Sequence, residues 1–156
     1  MTSDTATLVR SEITVEAAQE RAFDVFTTGQ TRWWPKAYHI GGQPMDEAVI
    51  EPRRGGRWFE RAADGSECDW GRVRVWDPPG RLVLVWQISG EWAYDEALDT
   101  ELEVRFIAEG PDRTRVELEH RLDGYGDRAE QMRDTFADPS GWPGILSAFA
   151  EAARTS

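Results

Sequence analysis

The chain of 156 residues, 40% of them hydrophobic, supports one domain with a single core. Its 18 basic and 29 acidic residues leave a net charge of −11, which works against nucleic acid and anionic membrane surfaces, because binding to phosphates relies on Lys and Arg. One cysteine, Cys68, excludes an internal disulfide, and there is neither a signal-peptide core nor an apolar run of membrane length, so a cytoplasmic protein with no nucleic-acid and no membrane partner is expected.

Residues 1–7 are expected to form a flexible N-terminal tail and residues 8–156 a single domain. Leu8 to Val15 reads as a first strand, with Val9, Ser11, Ile13 and Val15 alternating against Leu8, Arg10, Glu12 and Thr14. From Ala17 the period changes: Ala18, Ala22, Val25 and Phe26 fall at helical spacing, Phe23 widens the stripe and Gly29 marks a stop. Trp33, Trp34 and Pro35 then read as a short helical turn or lid that ends at the proline.

From Ala48 the chain becomes a succession of strands separated by turn chemistry. Ala48 to Pro52 leads through Gly55-Gly56 into Arg57 to Arg61, Asp64-Gly65 turns the chain into Glu67 to Trp76, and Asp77-Pro78-Pro79-Gly80 is a third turn. Leu82 to Ile88 is apolar on both faces except for Gln87, the pattern of a central strand covered on each side or of a short buried helix. The clearest alternation follows. Leu102, Val104 and Phe106 interleave with Glu101, Glu103 and Arg105, then Val116, Leu118, His120 and Leu122 interleave with Arg115, Glu117, Glu119 and Arg121, and Gly110-Pro111-Asp112 joins the two strands. The charges alternate in sign along the wet faces and read as a solvated surface, since exposed pairs contribute only about 0–1 kcal/mol each.

After Gly126, Ala129, Met132, Arg133 and Phe136 make a helical segment that Pro139 breaks. Ser140 is an N-cap candidate for a terminal helix whose one face carries Trp142, Ile145, Leu146, Phe149 and Ala153. The order strand, helix, about five or six antiparallel strands and closing helix is an α+β arrangement with the helices on one face of the sheet. Eight tryptophans accompany it, and each ring buries roughly 150–250 Å², so the interior is either a dense aromatic core or an aromatic-walled cavity.

The run Glu51-Pro52-Arg53-Arg54-Gly55-Gly56-Arg57-Trp58-Phe59-Glu60-Arg61, with Asp64-Gly65-Ser66-Glu67, Trp70-Gly71-Arg72-Val73, Pro78-Pro79, Arg81-Leu82-Val83 and Trp86, resembles the bacterial single-domain members of the SRPBCC (START/Bet v 1-like) superfamily. Within it the chain is most similar to the group related to the C-terminal domain of the activator of Hsp90 ATPase; the strand Thr114 to Leu122 and the Gly141-Trp142 opening of the last helix resemble the rest of that pattern. The resemblance covers roughly Leu8 to Ala153. It implies a helix-grip fold, a curved antiparallel sheet wrapped around a long C-terminal helix with a cavity between them. Relatives of this kind include lipid-transfer domains, plant allergens, and polyketide cyclases and aromatases, and no shared catalytic motif maps onto this chain.

The chemistry legible in the residues is sparse. Two histidines and one cysteine, without Cys-x-x-Cys or His-Glu-x-x-His spacing, point to no metal, and the glycine pairs lack the context of a phosphate loop, so no cofactor is expected. No Gly-x-Ser-x-Gly elbow occurs either. Cys68, beside Asp69, reads as a strand residue rather than a nucleophile.

His120 shares parity with Val116 and Leu118 and therefore points inward. It reads first as a core imidazole satisfied by a backbone group or a water, and it is the one catalytic candidate, a general acid or base should it face an open cavity. The cavity candidates are Trp33, Trp34, Val73, Val75, Trp86, Gln87, Val104, Phe106, Leu118, His120, Trp142, Leu146 and Phe149, with Trp33 and Trp34 at its mouth and Gln87 inward only if Val83 and Val85 share its face.

Three readings of function follow. A small hydrophobic or aromatic molecule is bound between sheet and terminal helix, without catalysis. Alternatively the chain is a polyketide cyclase, aromatase or hydrolase-like enzyme. The third reading, modulation of an Hsp90-type chaperone ATPase, has less support, because a chain of this length lacks the N-terminal domain of the eukaryotic activators. A homodimer is compatible with the sequence but not demanded by it.

Overall fold

The computed structural model describes residues 7–154; residues 1–6, most of the expected tail, and residues 155–156 lie outside the described residues. Thr7 is tied at both backbone groups, its N–H donating to Asp123 Oδ1 at 3.0 Å and its carbonyl accepting from Leu122 N–H at 2.8 Å.

The strands are β1 (Leu8–Val15), β2 (Met45–Ile50), β3 (Arg57–Ala62), β4 (Glu67–Asp77), β5 (Arg81–Trp86), β6 (Thr100–Gly110) and β7 (Arg113–Arg121). The helices are α1 (Gln19–Phe26), α2 (Ala129–Ala137) and α3 (Trp142–Arg154), with short 3₁₀ turns at Gln30–Arg32 and Asp123–Arg128. All strands pair antiparallel in the order β1-β7-β6-β5-β4-β3-β2, so consecutive strands neighbour one another except where β1 crosses over to cap β7. Register shifts leave an extra residue in β2, at two places in β4 and in β6. Each such bulge bends its strand and adds twist, which is how the sheet curls into a half-barrel around the helices.

The concave face is built by the alternation seen in the sequence. Leu102, Val104 and Phe106 from β6, and Val116, Leu118 and His120 from β7, are buried there beneath α1 and α3, and Phe149 of α3 sits against Phe26 of α1 with ring centroids 5.1 Å apart. Together with Leu82, Leu84, Trp58, Trp70, Trp142 and Leu146 they fill the space between sheet and terminal helix. Burying one such aliphatic or phenyl side chain stabilises by about 1.5–3 kcal/mol, so this aromatic packing is the main apolar contribution to the fold.

Two parities differ from those expected. In β4 the bulge between Val73 and Val75 carries Val75 to the convex face opposite Val83, and brings Trp76 onto the concave face opposite Leu82, 5.1 Å from the ring of Phe23. In β5 it is Leu82, Leu84 and Trp86 that join the core, so Val83, Val85 and Gln87 face the other way. Gln87 is buried all the same, its side-chain amide donating to the Glu96 carbonyl at 3.0 Å.

The convex face is a lattice of Arg–carboxylate pairs. Glu103 is nearly buried within it and accepts from Arg81 at 2.8 Å and Arg105 at 3.0 Å. Burial pushes its carboxyl up, and the two guanidiniums outweigh that and hold it below the usual carboxylate range. Phe59 is buried on the same face under Arg57 and Arg61, whose guanidinium carbons lie 4.0 and 5.3 Å from its ring centre.

Candidate functional site

Four polar side chains in the interior, Gln30, Glu60, Tyr125 and His120, share one occupation: they accept from indole N–H groups. Trp58 Nε1 donates to Gln30 Oε1 at 2.8 Å, Trp70 Nε1 to Glu60 Oε1 at 2.7 Å, Trp86 Nε1 to Tyr125 Oη at 2.9 Å and Trp142 Nε1 to His120 Nδ1 at 3.2 Å. Trp33 and Trp34 use the carbonyls of Val25 and Tyr38, at 2.7 and 2.9 Å. A buried indole N–H left unpaired costs about 1–3 kcal/mol, so a tryptophan-rich core needs an acceptor for each ring. Tyr125 passes the chain on, its hydroxyl donating to the Ile88 carbonyl at 2.5 Å, and burial raises its phenol above the ordinary range.

His120 belongs to this scheme rather than to a cavity. Its Nδ1 accepts from Trp142, so its proton sits on Nε2, 3.0 Å from Thr100 Oγ1, whose hydroxyl donates onward to the Trp86 carbonyl at 2.8 Å. The ring is fully buried against Phe136, Trp86 and Trp142, and with no charged partner among the described residues, burial lowers its pKa to about 3. A neutral imidazole with both nitrogens engaged has no free site for a substrate proton. Of the two readings of His120, the geometry is that of the core imidazole satisfied by its neighbours, and it lends the general acid or base no support.

Open space lies at one end of the half-barrel. A cleft of about 370 Å³ is bounded by the loop carrying Trp34, Ala37, Tyr38, His39 and Ile40, by Trp70 and Trp86 on the sheet, by Ile88 and Trp92 beyond β5, and by Thr135, Phe136, Ser140, Gly141 and Ile145 at the α2–α3 junction. That volume is at the small end of the range of about 300–1,000 Å³ for ligand sites. A larger hollow of about 430 Å³ lies on the convex face among Arg10, Glu12, Glu103, Arg105 and Glu119. It is a groove among surface charges, with Arg10 paired to Glu119 and Arg105 to Glu103, whereas the smaller cleft is walled mainly by apolar side chains.

Two walls of the cleft are held by specific contacts. Glu60, on β3 and buried, accepts from Ile40 N–H at 2.7 Å and Gly41 N–H at 3.1 Å besides Trp70, so one carboxylate fixes both the loop and an indole of the lining. Across the cleft the 88–95 segment folds back on itself, Ser89 N–H donating to the Ala93 carbonyl and Asp95 N–H to that of Gln87, each at 2.8 Å. At its tip Trp92 adopts φ = 60°, a left-handed conformation that costs a bulky residue of order 1–3 kcal/mol, and its ring stands edge-on to Phe136 at 6.2 Å. Trp92 is 47% exposed and Tyr38 41%, so both mouth rings are wet while Trp34, Trp70 and Trp86 behind them are buried.

Of the residues selected from the sequence, Trp34 and Trp86 line the cleft. Trp33, Val73, Val104, Phe106, Leu118, His120, Trp142, Leu146 and Phe149 lie in the packed core, and Val75 and Gln87 lie off the concave face. Sequence reasoning passed over Tyr38, His39, Trp70, Ile88, Trp92 and Phe136 as lining residues. A signal existed for Tyr38 and Trp92: both are aromatic residues outside any strand or helix period. No group of three or more His, Cys, Asp or Glu side chains is placed to hold a metal ion among the described residues, and no described helix is long and apolar enough to cross a membrane. Burial, with Glu60 and Asp69 nearby, raises the Cys68 thiol, which disfavours the nucleophilic thiolate.

The family model for activator of Hsp90 ATPase homolog 1-like proteins matches residues 16–154. No curated protein sequence matches the chain. Among solved structures, the anthrahydroquino-gamma-pyrone synthase Txn09 is 38% identical, with a TM-score of 0.65 over 92% of this chain and 95% of that one. The self-sacrificing resistance protein CalC from Micromonospora echinospora is 32% identical, with a TM-score of 0.69 over 95% and 94%. Protein NE0264 from Nitrosomonas europaea, 11% identical with a TM-score of 0.68 over 98% and 97%, shares the fold. With its helix-grip architecture and a family match over nearly its whole length, the chain belongs to the activator of Hsp90 ATPase homolog 1-like family of the SRPBCC superfamily.

Proposed function

We propose that this protein binds a compact, flat aromatic molecule in the cleft between the 34–40 loop and the α2–α3 junction. The observation that carries the reading is the lining itself: Trp34, Trp70, Trp86, Trp92 and Phe136 surround about 370 Å³ of open space. Ring faces and edges so arranged favour offset-stacked and edge-to-face contacts with a planar guest, each about 0.5–1.5 kcal/mol beyond the area it buries. A long lipid chain is poorly served, because the space between sheet and terminal helix that would take it is filled by side chains.

The test is tryptophan emission on titration with 2-methylanthraquinone, a neutral planar probe. Saturable quenching is expected, weakened at least tenfold in Trp92→Ala, which removes a half-exposed wall whose ring contact with the core is the edge-on one to Phe136. Quenching that does not saturate, or that Trp92→Ala leaves unchanged, overturns the reading.

The 38% identity to a synthase supports a second reading, in which the bound molecule is an aromatic polyketide that undergoes ring closure in the cleft. It predicts that ligand recovered after incubation carries one ring more than the ligand supplied. Recovery of unchanged ligand removes this second reading and leaves binding intact.

A further inference from the structure

An apolar cleft selects its guest by the few polar atoms it leaves free. Here nearly all are committed elsewhere. The indole N–H groups of Trp34, Trp70 and Trp86 are bonded inside the fold, the Tyr38 hydroxyl donates to the Ser140 carbonyl at 2.8 Å, Ser140 Oγ bonds Asp138, and Thr135 Oγ1 bonds the Gln131 carbonyl of its own helix. Among the described residues that line the cleft, His39 and Trp92 are the two that keep a side-chain nitrogen, Nε2 and Nε1, without such a partner.

The ring of His39 is oriented. Its Nδ1 lies 3.1 Å from the Gly41 carbonyl, which can only accept, so Nδ1 carries the proton of the neutral ring and Nε2 is left as an acceptor. Glu60 Oε2 stands 3.6 Å from Nδ1. The same carboxylate holds the backbone between the two contact residues through the Ile40 and Gly41 N–H groups.

We propose that His39 Nε2 is the recognition acceptor of the cleft, and that the guest is a hydroxylated aromatic molecule, a phenol or enol, whose O–H donates to it. Trp92 Nε1–H, at the exposed mouth, is left as a donor for a carbonyl on the same guest. The inference rests on the reading of the cleft as an aromatic-ligand site. It adds the chemical class of ligand and a residue that distinguishes hydroxylated from bare rings.

The experiment compares 2-hydroxyanthraquinone with 2-methylanthraquinone, two guests of nearly equal size and shape, on the wild type, His39→Phe and His39→Gln. Both quench in the wild type, and the hydroxy compound binds about tenfold more tightly, the scale of one buried hydrogen bond. His39→Phe abolishes the preference and leaves the methyl compound bound. His39→Gln, whose amide oxygen can accept, keeps part of it. If both guests bind the wild type equally, or if His39→Phe retains the preference, the assignment of His39 is overturned while aromatic binding stands. If neither guest binds, both readings fail together. His39 lies on a loop and is partly exposed, so an unchanged melting temperature in each variant shows that the fold has not been lost.

Discussion

Because the imidazole of His120 accepts from Trp142 on one nitrogen and donates to Thr100 from the other, a second proton would turn the acceptor into a donor facing a donor. The folded protein resists that proton, and burial brings the pKa from 6.5 down to about 3. The unfolded chain takes it up near the ordinary value, so more protons are bound unfolded than folded throughout that interval. Stability therefore falls as the pH drops below about 6.5, and the loss levels off near 3. By pH 5 this one group costs about 2 kcal/mol relative to neutral pH. His120→Gln keeps an acceptor for Trp142 and a donor for Thr100 without the titration. Urea unfolding at pH 7 and pH 5 is expected to show a loss about 2 kcal/mol smaller in the variant than in the wild type, whatever the variant's stability at pH 7. Parallel losses would show that the imidazole is protonated in the folded state after all.

At the scale of the element, the decisive strand is β4, which presents Trp70 to the cleft and Gly71 to the core. Gly71 lies opposite both Trp58 on β3 and Trp86 on β5, whose rings meet at 5.5 Å. A Cβ there would stand 1.8 Å from the Val85 carbonyl oxygen, so Gly71→Ala must force β4 and β5 apart. The expected cost is about 3 kcal/mol or more in denaturant unfolding, the upper end for an overpacked site. A loss under 1 kcal/mol would mean that the two strands are not held at this distance. The same strand shows where sequence reading stops. Strict alternation predicts Val73 and Val75 on one face, yet one inserted residue sends Val75 outward and Trp76 inward. Bulges follow from how several strands curl together, and nothing local in Val73-Arg74-Val75 announces one. β6 and β7 were legible because each pairs over most of its length without interruption, so period and parity survive intact.

For the molecule as a whole, the division between the legible and the illegible follows the division between sheet and end-loops. The regular strands and helices declare themselves by period, and the inward parity of His120 could be read from its neighbours in β7. The cleft is made where periodic elements end, at Trp34 to Ile40, Ile88 to Trp92 and Thr135 to Gly141, and no repeat in the sequence says that these segments meet. This placement also fixes how binding is felt through the chain. A guest that binds only the folded state stabilises it by about 2.7 kcal/mol at a concentration of one hundred times its Kd, which for a domain of this size raises the melting temperature by roughly 5–10 °C. At short labelling times hydrogen exchange reports only amides that open locally, and those the guest touches are in the loops. Protection by 2-hydroxyanthraquinone is therefore expected at residues 35–42, held by Glu60, and at 88–95, held by the Ser89–Ala93 contacts. The β3–β4 turn around Gly65 and the β6–β7 turn around Asp112, which lie outside the cleft, serve as internal controls and are expected to exchange at unchanged rates. Equal early protection at those turns would show that the guest tightens the whole sheet from another site, and would move the binding site away from the aromatic cleft.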